Sequence, residues 1–178
     1  MDMIRLLALS GSLRRSSYNS AVIEALKVLV PAQVDLQSGD IRHLPLFDPD
    51  REEENIASVG VLKLALGEAD GLVLASPEYA HGISGPMKNA LDWLVSGEEF
   101  PGKPVMLINT SPRAHHAQDA LREVLRTMSG KIIEPACVAV PLLGSGLDSE
   151  GIVEHETISN LLKAALTRFC DAIDCATR

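Results

Sequence analysis

The segment Ile4-Arg5-Leu6-Leu7-Ala8-Leu9-Ser10-Gly11-Ser12-Leu13-Arg14-Arg15-Ser16-Ser17-Tyr18-Asn19 carries two structural signals back to back. Ile4 to Leu9 is apolar apart from Arg5, which predicts a strand buried on both faces, as in a parallel sheet. The run stops abruptly in a polar loop rich in serine and arginine. Ala21, Val22, Ala25, Leu26 and Leu29 then recur at helical spacing until Pro31 ends the segment. A buried strand passing through a polar loop into an amphipathic helix is the opening half of a strand–helix–strand unit.

The same alternation continues along the chain. Val34-Asp35-Leu36 reads as a weak second strand. Ile41 to Glu54, with Pro45, Pro49 and a charge run, reads as a solvated loop. Ile56, Val59, Leu62 and Leu66 mark a second helix. Gly71 to Ala75 is a third strand, and Ser76 to Gly85 a loop. Pro86 suits the first position of a helix that buries Met87, Ala90, Leu91 and Leu94. Val105 to Ile108 is a fourth strand, followed by a polar loop from Asn109 to Ala117 and a helix carrying Leu121, Val124, Leu125 and Met128. Ile132 to Val140 is a fifth strand, which Pro135 interrupts as at an edge or a bulge. Ile158, Leu161, Leu162, Ala165, Phe169 and Ile173 form the face of a closing helix. Repeated strand–helix alternation predicts an α/β protein with helices on both faces of a parallel sheet. Five strands favour a flavodoxin-like three-layer sandwich of strand order 2-1-3-4-5, with residues 1–178 forming a single domain.

Composition narrows the functional classes. The chain has 178 residues and a net charge of −8, which argues against nucleic acid or an anionic membrane surface as a partner. No stretch approaches the ~20 apolar residues that a membrane span requires. The short apolar run at the N-terminus lacks a basic flank and reads as a strand, not as a leader. The cysteines, Cys137, Cys170 and Cys175, are odd in number and form no C-x-x-C pair, which fits a reduced, cytoplasmic protein.

Ligands of such sheets sit outside the C-terminal strand ends, at the switch point flanked by strands 1 and 3. That rule selects the loops after strands 1, 3 and 4. The first holds Ser10, Ser12, Arg14, Arg15, Ser16, Ser17 and Asn19 and leads into a helix, where hydroxyls, guanidinium groups and free N–H groups make an anion site. It matches neither G-x-x-x-x-G-K-[ST] nor G-x-G-x-x-G. It also has no cysteine nucleophile, so it predicts a phosphate that is held and not cleaved. Helix capping by Ser16, Ser17 and Asn19 is the plainer reading, but capping needs neither Ser12 nor Arg14.

The second loop adds Pro77-Glu78-Tyr79, followed by Lys88-Asn89-Ala90-Leu91-Asp92-Trp93. With Gly11-Ser12-Leu13-Arg14, Ser17 and Asn19, these residues resemble the NADPH-dependent FMN reductase family, which includes quinone, azo-dye and chromate reductases. Its pattern is G-S-L-R-x-x-S-x-N after strand 1, and P-E-Y-N followed by K-N-A-[IL]-D-W after strand 3. The resemblance implies non-covalent FMN and hydride transfer from NADPH or NADH to a small acceptor such as a quinone, flavin, azo compound or metal oxyanion. It implies that Ser12, Arg14, Ser17 and Asn19 hold the FMN phosphate, with Ser10, Leu13 and Tyr18 in the same loop. By the same resemblance, Pro77, Glu78 and Tyr79, followed by Ala80 and His81, would line the ring and ribityl chain, and Ser111 would lie near the ring. It also implies a homodimer or homotetramer, with the Trp93 region involved. Trp93 itself reads first as packing.

Two departures stand out. The family's Asn after P-E-Y is Ala80 here, which places one contact in question. Its glycine-rich third loop is replaced by Ser111-Pro112-Arg113-Ala114-His115-His116. Arg113, His115 and His116 are candidates for the flavin edge or the phosphate of the nicotinamide nucleotide. Backbone N–H groups near Ser111 are expected to support negative charge on the ring. The chemistry belongs to the cofactor, so no side chain is assigned as catalytic. The histidines show no metal-ligand spacing, and no metal is assigned. Other readings of the same loops are a one-electron carrier like flavodoxin and a flavin-free binding domain.

Overall fold

The computed structural model describes residues 3–176; the ends of the expected 1–178 domain, residues 1–2 and 177–178, lie outside the described residues. Strand β1 (Ile4–Ser10) leads into helix α1 (Tyr18–Leu29) and strand β2 (Val34–Gly39). Helix α2 (Ala57–Glu68) and strand β3 (Gly71–Ala75) follow. A short hairpin, β4 (Glu78–Tyr79) and β5 (Gly82–Ile83), precedes helix α3 (Gly85–Leu94). Strand β6 (Pro104–Asn109), helix α4 (His115–Thr127), strands β7 (Lys131–Ile132) and β8 (Val138–Ala139), and helices α5 (Ser149–Glu154) and α6 (Glu156–Ala176) complete the chain.

The sheet runs β2-β1-β3-β6 and then β7 and β8, all parallel. This is the expected 2-1-3-4-5 order, with the fifth strand in two pieces. A 3₁₀ turn at Glu134–Ala136 separates β7, which pairs with Pro104 and Val105, from β8, which pairs with Ile108 and Asn109. Pro135 sits in that turn; having no N–H, it cannot donate to a ladder.

Strand alternation divides the core into two layers. Leu6, Ala8, Val73, Ala75, Met106 and Ile108 face α1 and α6. Leu7, Leu9, Leu72, Leu74, Val105 and Leu107 face α2, α3 and α4. Both faces being covered explains why these strands are continuous apolar runs. Each fully buried Leu or Phe contributes roughly 1.5–3 kcal/mol. Trp93 belongs to this core, at 2% exposure. Its Nε1–H donates to the Pro45 carbonyl at 2.8 Å, and its ring meets Phe47 edge-on at 5.1 Å. Among the described residues no helix is long and apolar enough to cross a membrane.

Several boundaries differ from the sequence reading: a 3₁₀ turn at Pro49–Arg51 lies within the Ile41–Glu54 loop, β2 extends to Gly39, Asn109 belongs to β6, and α5 has no counterpart in it. The loop after β3 contains the β4–β5 hairpin. Helix α3 begins one residue early, at Gly85, with Ser84 as N-cap accepting from Met87 N–H at 3.4 Å, so Pro86 is not its first residue. Helix α4 begins at His115, so both His115 and His116 belong to its first turn and not to a loop.

Candidate functional site

The C-terminal ends of β1, β3, β6 and β8 open into one cleft of about 990 Å³, at the upper end of the range usual for small-molecule sites. Its walls are the loop from Ser12 to Ser20, the segment Ser76 to Tyr79, the loop Asn109 to Ala114, and the stretch Leu143 to Ser149.

The first wall is drawn in by Gly11. Its N–H donates to the Ala75 carbonyl at 2.8 Å, and its carbonyl accepts from Ser84 Oγ at 2.6 Å. A Cβ at this position would lie 2.5 Å from Ser76 Oγ, so only glycine lets the two loops approach this closely. Beyond it the chain turns on its own hydroxyls: Ser12 N–H donates to Ser10 Oγ and Arg14 N–H to Ser12 Oγ, each at 3.3 Å. Ser17 is the N-cap of α1, yet its hydroxyl makes no capping bond. The capping explanation therefore fails for this side chain. Ser17 is buried at 8% exposure, lines the cleft, and sits beside the orphan N–H groups of the first helical turn. Asn19 is tied from behind, its Oδ1 accepting from Thr110 Oγ1 at 3.2 Å. Its amide nitrogen keeps its donors.

The second wall is held by Glu78. Its Oε2 accepts from the Ala117 N–H of α4 at 2.8 Å. The carboxylate thus caps a neighbouring helix, and Glu78 meets the cleft through the rest of its length. Tyr79 is exposed at 57% and lines the opening. Ala80 and His81 form the two-residue turn of the hairpin, with φ of 49° and 59°. Neither lines the cleft. That backbone lies in the left-handed region, which Asn tolerates and Ala adopts only at a cost.

The third wall corrects one expectation. Ser111 N–H donates to Asn109 Oδ1 at 3.0 Å, Arg113 N–H to Ser111 Oγ at 3.3 Å, and Ala114 N–H to the Ser111 carbonyl at 3.1 Å. Pro112 has no N–H. These donors are consumed by local turns and are not aimed at a ligand. What the loop presents is the Ser111 side chain and Arg113.

The fourth wall, Leu143 to Ser149, is not anticipated by the sequence reading. Gly146 N–H donates to Tyr18 Oη at 3.0 Å, fastening this stretch to the start of α1. Asp148 caps α5 by accepting from Gly151 N–H at 2.9 Å. Two residues of the expected set, Ser10 and Leu13, face a smaller hollow of about 260 Å³ on the other side of the first loop. Ser10 Oγ is bonded there to Ser20 Oγ at 2.9 Å.

The electrostatics are unusual for an acidic protein. Arg14, Arg15 and Arg113 all line the cleft, and none has an ion pair among the described residues. The carboxylates that line it are engaged: Glu24 with Lys27 at 2.8 Å, Glu78 with Ala117, and Asp148 with Gly151. The cleft is therefore rich in unspent donors. The cysteines add no nucleophile to it. Burial pushes the Cys170 thiol up to about 11, with Asp174 and Asp171 adding to the shift, and burial raises Cys137 as well. A flavin mononucleotide needs anion donors at one end, polar groups along a hydroxyl chain, and a flat slot for a ring. The buried Ser17 hydroxyl, the free arginines and the Asn19 amide fit the first need, and a ring would enter between the walls Ser76–Tyr79 and Asn109–Ala114.

The chain is similar to known proteins in sequence and in fold. The chain is 30% identical over 171 residues to an NAD(P)H-dependent FMN reductase of Pseudomonas aeruginosa, covering 93% of this chain and 92% of that one. It is 29% identical over 172 residues to a 2-hydroxy-1,4-benzoquinone reductase of a Burkholderia species, covering 93% and 94%. Its fold superposes on a flavoenzyme NAD(P)H:(acceptor) oxidoreductase of Paracoccus denitrificans with a TM-score of 0.79 and 25% identity, over 97% and 98% of the two chains. The sequence pattern of the NADPH-dependent FMN reductases matches residues 4–143, and the chain belongs to that family.

Proposed function

We propose that residues 1–178 act as a single FMN-binding domain that passes a hydride from NADPH or NADH to a small acceptor of the quinone type. FMN, when bound, supplies the hydride relay between donor and acceptor. The observation that carries this reading is the start of α1. There the buried Ser17 hydroxyl makes no cap bond, and two unpaired arginines stand beside it at the cleft. Ser12, Arg14, Ser17 and Asn19 hold the phosphate. Tyr18 braces the fourth wall beside it, and Ser10 and Leu13 shape the loop from its far side. Pro77, Glu78, Tyr79 and Ser111 border the ring, while Ala80 and His81 set the hairpin that presents Tyr79.

The protein's part in the chemistry is to hold and exclude. The Glu78 cap fixes α4 against β4, and the Gly11 contact fixes the first loop against β3. Together they set the width of the slot. No side chain in it is required to carry a proton, and the open mouth admits donor and acceptor in turn.

The chain functions in the cytoplasm, in keeping with three cysteines that form no disulfide. It works as a homodimer or homotetramer. Support comes from large apolar side chains left exposed on the α2–α3 layer: Leu46 at 84%, Val61 at 69%, Leu64 at 64% and Val95 at 53%.

Titration of the purified protein with FMN and with riboflavin tests the reading directly. FMN is expected to bind at least about tenfold more tightly, because its phosphate meets charge-assisted donors. The FMN-loaded protein is expected to oxidise NADPH when benzoquinone is supplied. Equal affinity for the two flavins, or bound FMN inert to both nicotinamide nucleotides, overturns it.

A further inference from the structure

One guanidinium in the cleft has no part in holding the flavin phosphate. Arg113 lines the cleft from the loop after β6, a different wall from the one that carries Arg14 and Arg15. Its backbone is pinned by the Ser111 turns, while its side chain is exposed and without an ion pair among the described residues.

Two residues further on, the chain enters a ladder of imidazoles. The His116 ring stacks on His81 with centroids 4.2 Å apart and planes 26° apart, and meets His115 at 4.1 Å and 37°. His81 comes from the hairpin turn and the other two from the first turn of α4, so the stack joins two walls at their rim. All three residues are exposed, and the cleft-lining Tyr79 precedes His81 by two residues. Glu78, the carboxylate of this wall, is already engaged by Ala117 N–H. Flat exposed rings next to a free, planar cation suit a ligand that carries an aromatic base and a phosphate close together.

We propose that Arg113, with the His81–His116 stack, is the subsite for the adenosine 2′-phosphate of the hydride donor, and that it makes this protein prefer NADPH to NADH. The inference rests on the flavin-reductase reading above. FMN brings one phosphate, and the first loop takes it. The hydride donor brings a second nucleotide, and Arg113 lines the same cleft while the imidazoles lie on the hairpin turn and the first turn of α4 that flank it. The guanidinium supplies the bidentate phosphate contact, and an outer face of the stack, on His81 or His115, supplies a surface for adenine, with His116 holding the two together.

The test uses the FMN-loaded protein and its Arg113→Ala, Arg113→Lys and His116→Ala variants. The ratio of kcat/KM for NADPH to that for NADH is expected to fall about ten- to hundredfold in Arg113→Ala, through the NADPH KM. Arg113→Lys is expected to recover part of the loss, since a point charge replaces a fork. A binding readout stands apart from turnover: calorimetry with adenosine 2′,5′-bisphosphate and with AMP. The bisphosphate is expected to bind the unmodified protein more tightly than AMP. Arg113→Ala is expected to erase that difference, and His116→Ala to weaken both ligands. An unchanged nucleotide ratio, or equal affinity for the two adenosine ligands, overturns the inference while flavin binding and turnover stand. A protein that takes up no FMN, or oxidises neither nucleotide, overturns the reductase reading and this inference with it.

Discussion

Glu78 Oε2 accepts the Ala117 N–H at 2.8 Å, so an acid on β4 caps a helix that has no cap of its own. The N-cap of α4 is Ala114, which offers no side-chain acceptor. A carboxylate at a helix N-terminus also meets the positive end of the helix dipole. The bond holds the second and third walls of the cleft at a fixed spacing.

Glu78→Ala is therefore expected to cost about 1–2 kcal/mol of stability and to speed hydrogen exchange at the first amides of α4. Glu78→Gln keeps an acceptor oxygen and is expected to retain most of the stability. Urea unfolding of the two variants separates the cases. If both lose the same amount, the carboxylate charge and not the cap is what matters.

The Ala80–His81 turn gives a prediction of the opposite sign. Both residues have positive φ, at 49° and 59°, in a two-residue hairpin loop that favours Asn-Gly. Ala80→Asn is expected to raise stability by about 1 kcal/mol. Because Ala80 does not line the cleft, FMN affinity should change by no more than about twofold, as for a surface substitution. A thermal melt and a flavin titration check both halves. A large gain in FMN affinity would instead mean that the missing amide is a lost contact.

The same turn shows where sequence reading runs out. The Ile4–Leu9, Gly71–Ala75 and Val105–Ile108 runs are legible because a strand covered on both faces is apolar without interruption. The hairpin is not legible: its strands are two residues each, and Ala80-His81 carries no turn signal. Helix α5 has six residues, too few for a period to show. The fourth wall reaches the cleft through Gly146 and Tyr18, partners 128 positions apart, which no local pattern reports. The occupied N–H of Ser111 was signalled, by Asn109 two residues earlier, because Asn side chains commonly bond the backbone two residues on. The first loop is the part of the cleft that local composition marks most plainly, since its hydroxyls and arginines stand directly before a helix.

Ser84 joins three segments with one hydroxyl. It donates to the Gly11 carbonyl at 2.6 Å, contacts Ser76 Oγ at 3.3 Å, and caps α3 at Met87 N–H. It is fully buried, at 0% exposure. Ser84→Ala leaves a buried carbonyl without this donor and removes the cap, for an expected loss of about 1–3 kcal/mol. Gly11→Ala attacks the same junction from the other side, by placing a methyl group 2.5 Å from Ser76 Oγ. It is expected to cost about 1–3 kcal/mol by overpacking and to weaken FMN binding as the first loop is pushed out. Denaturant unfolding with a flavin titration reads both. A Gly11→Ala protein of normal stability and normal affinity would show that the two loops are free to separate.

Tyr18 gives the sharpest probe of the fourth wall. Its hydroxyl accepts Gly146 N–H at 3.0 Å, while its ring packs against the layer formed by α1 and α6. Tyr18→Phe keeps the ring and deletes only the acceptor. The bond lies at an exposed site, so water replaces it in part, and global stability should fall by no more than about 1 kcal/mol. The local consequence is larger. Gly144 and Gly146 both adopt positive φ, at 82° and 74°, so the stretch is built from residues with little conformational restraint of their own. Without the tyrosine it loses its tie to the start of α1. Amide exchange at Gly146 and Leu147 should accelerate, and FMN should dissociate several-fold faster, by about as much as the loss of one neutral hydrogen bond allows. The association rate should change little, since Arg14 and Arg15 still line the cleft and their positive charge remains. Stopped-flow release of FMN measures the effect. An unchanged off-rate with faster exchange would mean that the wall moves without touching the ligand, and that the first three walls alone retain it.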